Sequence, residues 1–268
     1  IRLSLVGSEM CIRDSEYLHR ILGRIIGIIF FIPLLYFTIR KAIPPVLIPR
    51  LYLLLILGGF QGVLGWYMVK SGLVDDPNVS QYRLTAHLGM AVFIYSLILW
   101  TVFDLSLNYN HAIRSRIKWM SSTLTLLIFL MILSGGLVAG TRAGIPFPTW
   151  PLMGDTFIPP QIYSMNPSWL SAFEDMATIQ FNHRMFAYLL TIFIVIFAIV
   201  LLGSNVPRFL KNGTTVLLFV LSLQVVLGIS TLLFYIPIPV AAAHQVGAIA
   251  LLSVSLFITH SCLSREQI

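Results

Sequence analysis

The sequence predicts an all-α integral membrane protein made of duplicated four-helix bundles, a 4 + 4 parent represented here as 3 + 4 spans. Three observations predict it. Of the 268 residues, 57% are hydrophobic and only 10% charged, whereas soluble domains carry about 25% charged residues. Seven stretches reach the roughly 20 apolar residues that a helix needs to cross a bilayer. The chain also repeats itself, so the spans fall into two sets. The composition excludes a soluble globule, disorder and coiled coil. The net charge of +7 reads as basic residues gathered in loops on one side of a membrane, not as a nucleic-acid surface. Cys11 and Cys262 form no disulfide framework and no Cys-x-x-Cys motif.

The spans follow in order. The first, 16–39, ends at Arg40 and Lys41, and the second, 51–69, begins after Pro44, Pro45 and Pro49. The third is 83–104 and the fourth 119–139. Residues 140–179 are rich in Pro, Gly, Trp and Asp, which reads as a loop outside the hydrocarbon with a short interfacial helix. Spans 180–203 and 213–236 flank a basic connection, Ser204–Gly213, and Tyr235–Pro239 turns tightly into the last span, 238–262. Arg40, Lys41 and Arg50, then Arg114, Arg116 and Lys118, then Arg208 and Lys211, and Arg265 occupy alternate connections and the tail. Asp75, Asp76, Asp155, Glu174 and Asp175 occupy the others. The basic side is expected to be cytoplasmic. Residues 1–15 lack an initiator Met and a signal-peptide apolar core, and read as a leader or a non-native segment.

The repeat aligns Glu16-Tyr-Leu-His19-Arg20 with Gln180-Phe-Asn-His183-Arg184, Gln61-Gly-Val-Leu-Gly65 with Gln224-Val-Val-Leu-Gly228, and His87 with His244, at offsets of 164, 163 and 157. The second copy starts one span earlier, at 119–139, so the first copy reads as lacking its initial helix. The expected divisions are an N-terminal bundle over 16–118 and a C-terminal bundle over 119–268 carrying the loop 140–179. An even number of spans per copy relates the copies by an axis along the membrane normal.

Four of the six histidines then fall at one depth, His19 and His87 in the first copy, His183 and His244 in the second. An ionisable side chain within a span is costly and a functional candidate. Zinc would call for further Cys or carboxylate ligands. Two helices with one imidazole each suit a haem iron with axial histidines in a helical bundle. Gly23 and Gly27 follow His19 on one face and leave room for a planar macrocycle, while Arg20, Arg24 and Arg184 lie where propionates would need guanidinium partners. The blander readings are histidines hydrogen-bonding a neighbouring helix and arginines snorkelling to the interface. His111 and His260 read as loop and helix-end residues, and Gln61 and Gln224 as mid-span hydrogen-bonding groups. Glu16 stands three residues before His19, on the same helical face, and its counterpart Gln180 is uncharged. That asymmetry makes the first copy the candidate for proton-coupled chemistry, with simple pairing of Glu16 to Arg20 as the alternative.

With these residues in view, the sequence resembles the haem A synthase family, in its proteobacterial and mitochondrial branch. The matching segments are Glu16–Arg24, Gln61–Leu73, Val79–Leu88, Gly135–Gly144, Thr149–Gly154, Phe181–Arg184 and His244-Gln245. The one departure is Pro148, where the family often carries Asn. The resemblance implies eight spans in two bundles and oxidation of the C8 methyl of haem O to a formyl group, giving haem A for cytochrome oxidase. It implies haem b at His183 and His244 with Arg184 beside it, and substrate haem at His19 and His87 with Arg20, Arg24 and the catalytic Glu16. Partners implied are haem O and haem A, haem O synthase, cytochrome oxidase assembly factors and membrane lipid, with an unspecified electron donor. The place implied is a bacterial inner or mitochondrial inner membrane, with haem sites toward the outer side. The alternative reading is a di-haem electron-transfer cytochrome b.

Overall fold

The computed structural model describes the backbone of residues 2–70, 79–107 and 113–263, and side chains there from Tyr17 onward except Lys70. Asp75, Asp76, His111, Arg265 and the side chain of Glu16 lie outside the described residues. Regular structure among the described residues is helical, apart from one isolated bridge between Met153 and Thr156. Seven of the described helices are long and apolar enough to cross a bilayer, which makes this an integral membrane protein of the all-α class. The chain divides into two bodies, residues 1–67 and 68–268.

The first body holds α1 (Arg2–Ile39) and most of α2 (Ile48–Lys70). Residues 2–15, expected as a leader or non-native segment, continue α1 as helix. Just past the end of α1, the left-handed backbone of Lys41 (φ 51°) lets Ala42 N–H donate to Phe37 O at 2.9 Å and closes the last turn. Ile26 and Ile29 each remain 65% exposed. A helix that is apolar all round has lipid or another helix as its solvent.

The second body holds α3 (Gln81–Ser106), α4 (Ser115–Thr141), the short α5 (Ser171–Glu174), α6 (Met176–Leu202), α7 (Arg208–Leu233) and α8 (Ile238–Leu263). α4, α6, α7 and α8 pack in succession and α8 returns to α4, closing a four-helix bundle. α3 lies against α4 and α8. Small residues allow the α3–α4 approach: a Cβ at Gly140 would stand 2.7 Å from Gln81 Cα, and one at Gly136 would stand 3.0 Å from Thr85 Oγ1. α7 begins at Arg208, within the stretch expected as a connection, because Pro207 pre-sets the helical start. It stops at Leu233, short of the expected 236, because Tyr235 and Ile236 adopt left-handed φ of 59° and 60° and make the hairpin turn.

Filling of the bundle is uneven. At the end away from the long loop, Leu124, Phe197, Leu201, Leu210, Leu217 and Ile258 are fully buried. Toward the loop end, none of residues 222–250 is buried. The apolar core therefore anchors one half of the bundle, and His183 and His244 lie toward the other.

Candidate functional site

α6 begins at Asp175, whose carboxylate accepts from Thr178 N at 2.8 Å and from Thr178 Oγ1 at 2.6 Å. This N-cap satisfies an otherwise orphaned donor and sets the rotation of the helix. Two turns on, α6 presents Gln180, His183 and Arg184.

His183 is half-buried, and its Nδ1 lies 3.0 Å from Ser134 Oγ on α4. Beside it, a Cβ at Gly135 would reach 3.6 Å from His183 Cε1. His244, on α8, packs its ring onto α7 at Gly228, where a Cβ would stand 2.9 Å from Cε1 and 3.5 Å from both ring nitrogens. A real Cβ does not fit there, so the glycine admits the ring. The backbone of Gln224 lies beside the same ring. The two imidazoles are close enough to influence one another electrostatically. Two imidazoles from α6 and α8 of one bundle are a donor set suited to axial ligation of a haem iron. With Nδ1 of His183 beside Ser134, its Nε2 makes no hydrogen bond among the described residues, and in the tautomer that donates from Nδ1 to Ser134 Oγ it has a lone pair for a metal. The residues present fit a haem.

Arg184 is buried, at 6% exposure, and does not snorkel to the interface. Its Nη1 donates to Leu152 O at 3.1 Å and its Nη2 to Phe147 O at 3.0 Å, while Gln180 Nε2 donates to Phe147 O at 3.0 Å. The Thr149–Gly154 motif builds the turn that presents these carbonyls. Thr149 Oγ1 donates to Leu152 O and accepts from Gly154 N, both at 2.9 Å. Gly154 takes φ 70°, which only glycine adopts freely. Trp150 Nε1 donates to Tyr188 OH at 3.1 Å and Phe157 stacks on the Tyr188 ring, so the loop is fastened along α6. The expected short helix of this loop is α5, and its Glu174 accepts from Tyr82 OH and from Gln81 Nε2 at 2.9 Å.

His19, Arg20 and Arg24 are exposed on α1 in the first body, and His87 is half-buried on α3 in the second. No atom lies within 4 Å of where a Cβ of Gly23 or Gly27 would be. Gln224 Oε1 is buried without a hydrogen-bond partner among the described residues and presses on Gly247 instead. His260 is structural, as its helix-end position suggested: its Nε2 lies 2.8 Å from Asp104 Oδ1 at the end away from the loop, edge-on to Trp100. Ser134 escaped the sequence reading. It precedes the noted Gly135-Gly136 pair, but nothing in the spacing says that its hydroxyl meets a histidine two helices on.

The family model described as cytochrome oxidase assembly protein matches residues 9–256. The chain is similar to proteins named haem A synthase. That of Nitrosospira multiformis is 47% identical over 255 residues, 91% of this chain and 70% of that protein. That of Parvibaculum lavamentivorans is 41% identical over 248 residues, again 91% and 70%. That of Wolbachia pipientis wMel is 36% identical over 259 residues, 94% and 70%.

Proposed function

We propose a division of labour between two haem sites from the premise that this chain belongs to the haem A synthase family of cytochrome oxidase assembly proteins. It is a membrane oxidoreductase of haem A biosynthesis, acting on haem O and yielding haem A. The reaction is oxidation of the C8 methyl of haem O to a formyl group. The di-haem electron-transfer alternative gives way, because the relatives are named for haem A synthesis.

In this reading His183 and His244 would hold haem b, which when bound supplies one-electron redox chemistry. The observation that carries it is the pair of half-buried imidazoles on α6 and α8 of one bundle, with Ser134 on Nδ1 of one and Gly228 admitting the ring of the other. Ser134 would hold the His183 ring through Nδ1 and leave Nε2 to the iron. Arg184 places a buried positive charge beside the site while holding the loop carbonyls that cover it. His19 and His87 would bind the substrate haem, with Arg20 and Arg24 toward its propionates. Glu16 would take or give the proton, a role its counterpart Gln180 lacks. The long loop and the haem sites would face outward from a bacterial inner or mitochondrial inner membrane, by the placement of the basic residues. Haem O synthase and cytochrome oxidase assembly factors are the expected partners.

Pyridine haemochrome analysis of the detergent-purified chain tests the assignment. Haem b is expected in the wild type and lost in His183→Ala and in His244→Ala. Glu16→Gln is expected to accumulate haem O with haem b retained. Haem b that survives both histidine substitutions, or unchanged haem A output from E16Q, would overturn the corresponding role.

A further inference from the structure

A groove of about 690 Å³ runs between α3 and α4, with Phe173 of α5 lining it as well. Volumes of roughly 300–1,000 Å³ suit small ligands. The lining is apolar at Met90, Phe93 and Leu130, and changes character toward the loop. There Tyr82 lines the groove with its hydroxyl donating to Glu174, whose second oxygen accepts from Gln81 Nε2. A carboxylate has about four acceptor positions, so Glu174 keeps capacity for a further donor. Between these regions Ser134 lines the groove and lies 3.0 Å from His183 Nδ1. When His183 turns Nε2 to a metal, Nδ1 carries the proton and donates to Ser134 Oγ. The hydroxyl proton of Ser134 then has no acceptor among the described residues, on a groove wall.

The groove thus asks for an amphiphile with a hydroxyl donor for Glu174, an oxygen acceptor for Ser134 and an apolar tail. It disfavours an anionic headgroup, which would meet a carboxylate. We propose that the α3–α4 groove binds a p-quinol with an apolar tail, its ring seated between Glu174 and the Ser134 hydroxyl that holds His183. The proposal rests on reading His183 as a haem ligand. A quinol is a membrane-dissolved electron carrier, and this seat brings it to the residue that holds the ligand. A quinone, which has no hydroxyl to donate, would lose the Glu174 bond.

Photolabelling of the detergent-purified full chain with an azido-ubiquinol, mapped by peptide mass spectrometry, tests the site on the protein itself. Label is expected in peptides spanning 82–93 and 129–137. Excess decylubiquinol should displace it, and phosphatidylglycerol or haem O should not. Ala86 lines the groove and is exposed, so Ala86→Trp should cut labelling by at least about tenfold. Glu174→Gln leaves the groove volume alone and decides the matter if the Trp variant misfolds. It should weaken quinol binding by about tenfold, the scale of one hydrogen bond to a charged group, and not weaken quinone binding. Label on other peptides, displacement by phospholipid or haem O, or indifference to both substitutions would overturn the quinol site. Lack of a Soret band in the wild type would instead strike at the haem reading, and labelling is scored independently of it.

Discussion

Gly228 shows how much a single hydrogen atom decides. With a Cβ 2.9 Å from His244 Cε1, Gly228→Ala must push the ring or spread α7 from α8, and overpacking of this kind costs about 1–3 kcal/mol. The expected outcome is a several-fold drop in the Soret absorbance per protein, with helical circular dichroism unchanged. Gly135→Ala meets His183 only at ordinary contact, 3.6 Å, and should retain most of the absorbance. Equal losses from the two variants would show that the ring contacts do not set haem retention. Ser134→Ala strips the partner from His183 Nδ1, and loss of such a support typically weakens a metal site 10–100-fold. Faster haem transfer to apomyoglobin would report it, and Ser134→Thr, which restores a hydroxyl, should recover part of the loss.

At the scale of elements, the long loop and the start of α6 form one unit. Asp175 caps the helix, and Gln180 and Arg184 hold the Phe147 and Leu152 carbonyls from below. Asp175→Ala should lower stability by about 1 kcal/mol, the ordinary value of an N-cap, seen as a small fall in thermal midpoint. Arg184→Gln should act differently. It takes one of two donors from each carbonyl, leaving Gln180 Nε2 on Phe147 O and Thr149 Oγ1 on Leu152 O, at about 0.5–1.5 kcal/mol per bond lost, and should raise proteolytic cleavage within 142–175 before the helices melt. A loop as resistant as in the wild type would show that Trp150, Phe157 and Tyr188 suffice to fasten it. The loop was legible as a loop, from its Pro, Gly and Asp content. Its internal order was not, since its contacts join Thr149 to Gly154 and then reach across to α6, and no local periodicity records them.

Across the whole molecule, the second body is pinned at both ends by different chemistry. At the end away from the loop, Asp104 on α3 meets His260 on α8, with Thr125 bonded to Ser255 and Thr259 nearby. Removing the carboxylate takes this partner from the buried His260 Nε2, at about 1–3 kcal/mol. Asp104→Ala should therefore lower the thermal midpoint clearly and leave the haem spectrum intact, because the haem candidates lie at the opposite end. A changed Soret band in this variant would mean that the two ends are coupled. The seven spans were legible because a bilayer demands length and apolarity, quantities that composition carries directly. His183 and His244 were legible as candidates because each falls in a repeated segment of the sequence. Ser134 and Gly228 were legible only as small residues, since what they touch belongs to other helices.

By itself the sequence determined that the chain crosses a membrane as helices, where the turns fall, and which histidines are candidates. Each of those follows from local hydropathy, from proline and glycine, or from internal spacing. Only the tertiary structure decided that α4, α6, α7 and α8 close into a ring packed tightly at one end. It alone decided that Ser134 orients His183, and that Arg184 is spent on loop carbonyls. Apolar side chains inside a bilayer do not say which neighbour they face, because lipid and protein interior are solvents of similar polarity. The choice is made by close approach at glycines and by hydrogen bonds between helices distant in sequence.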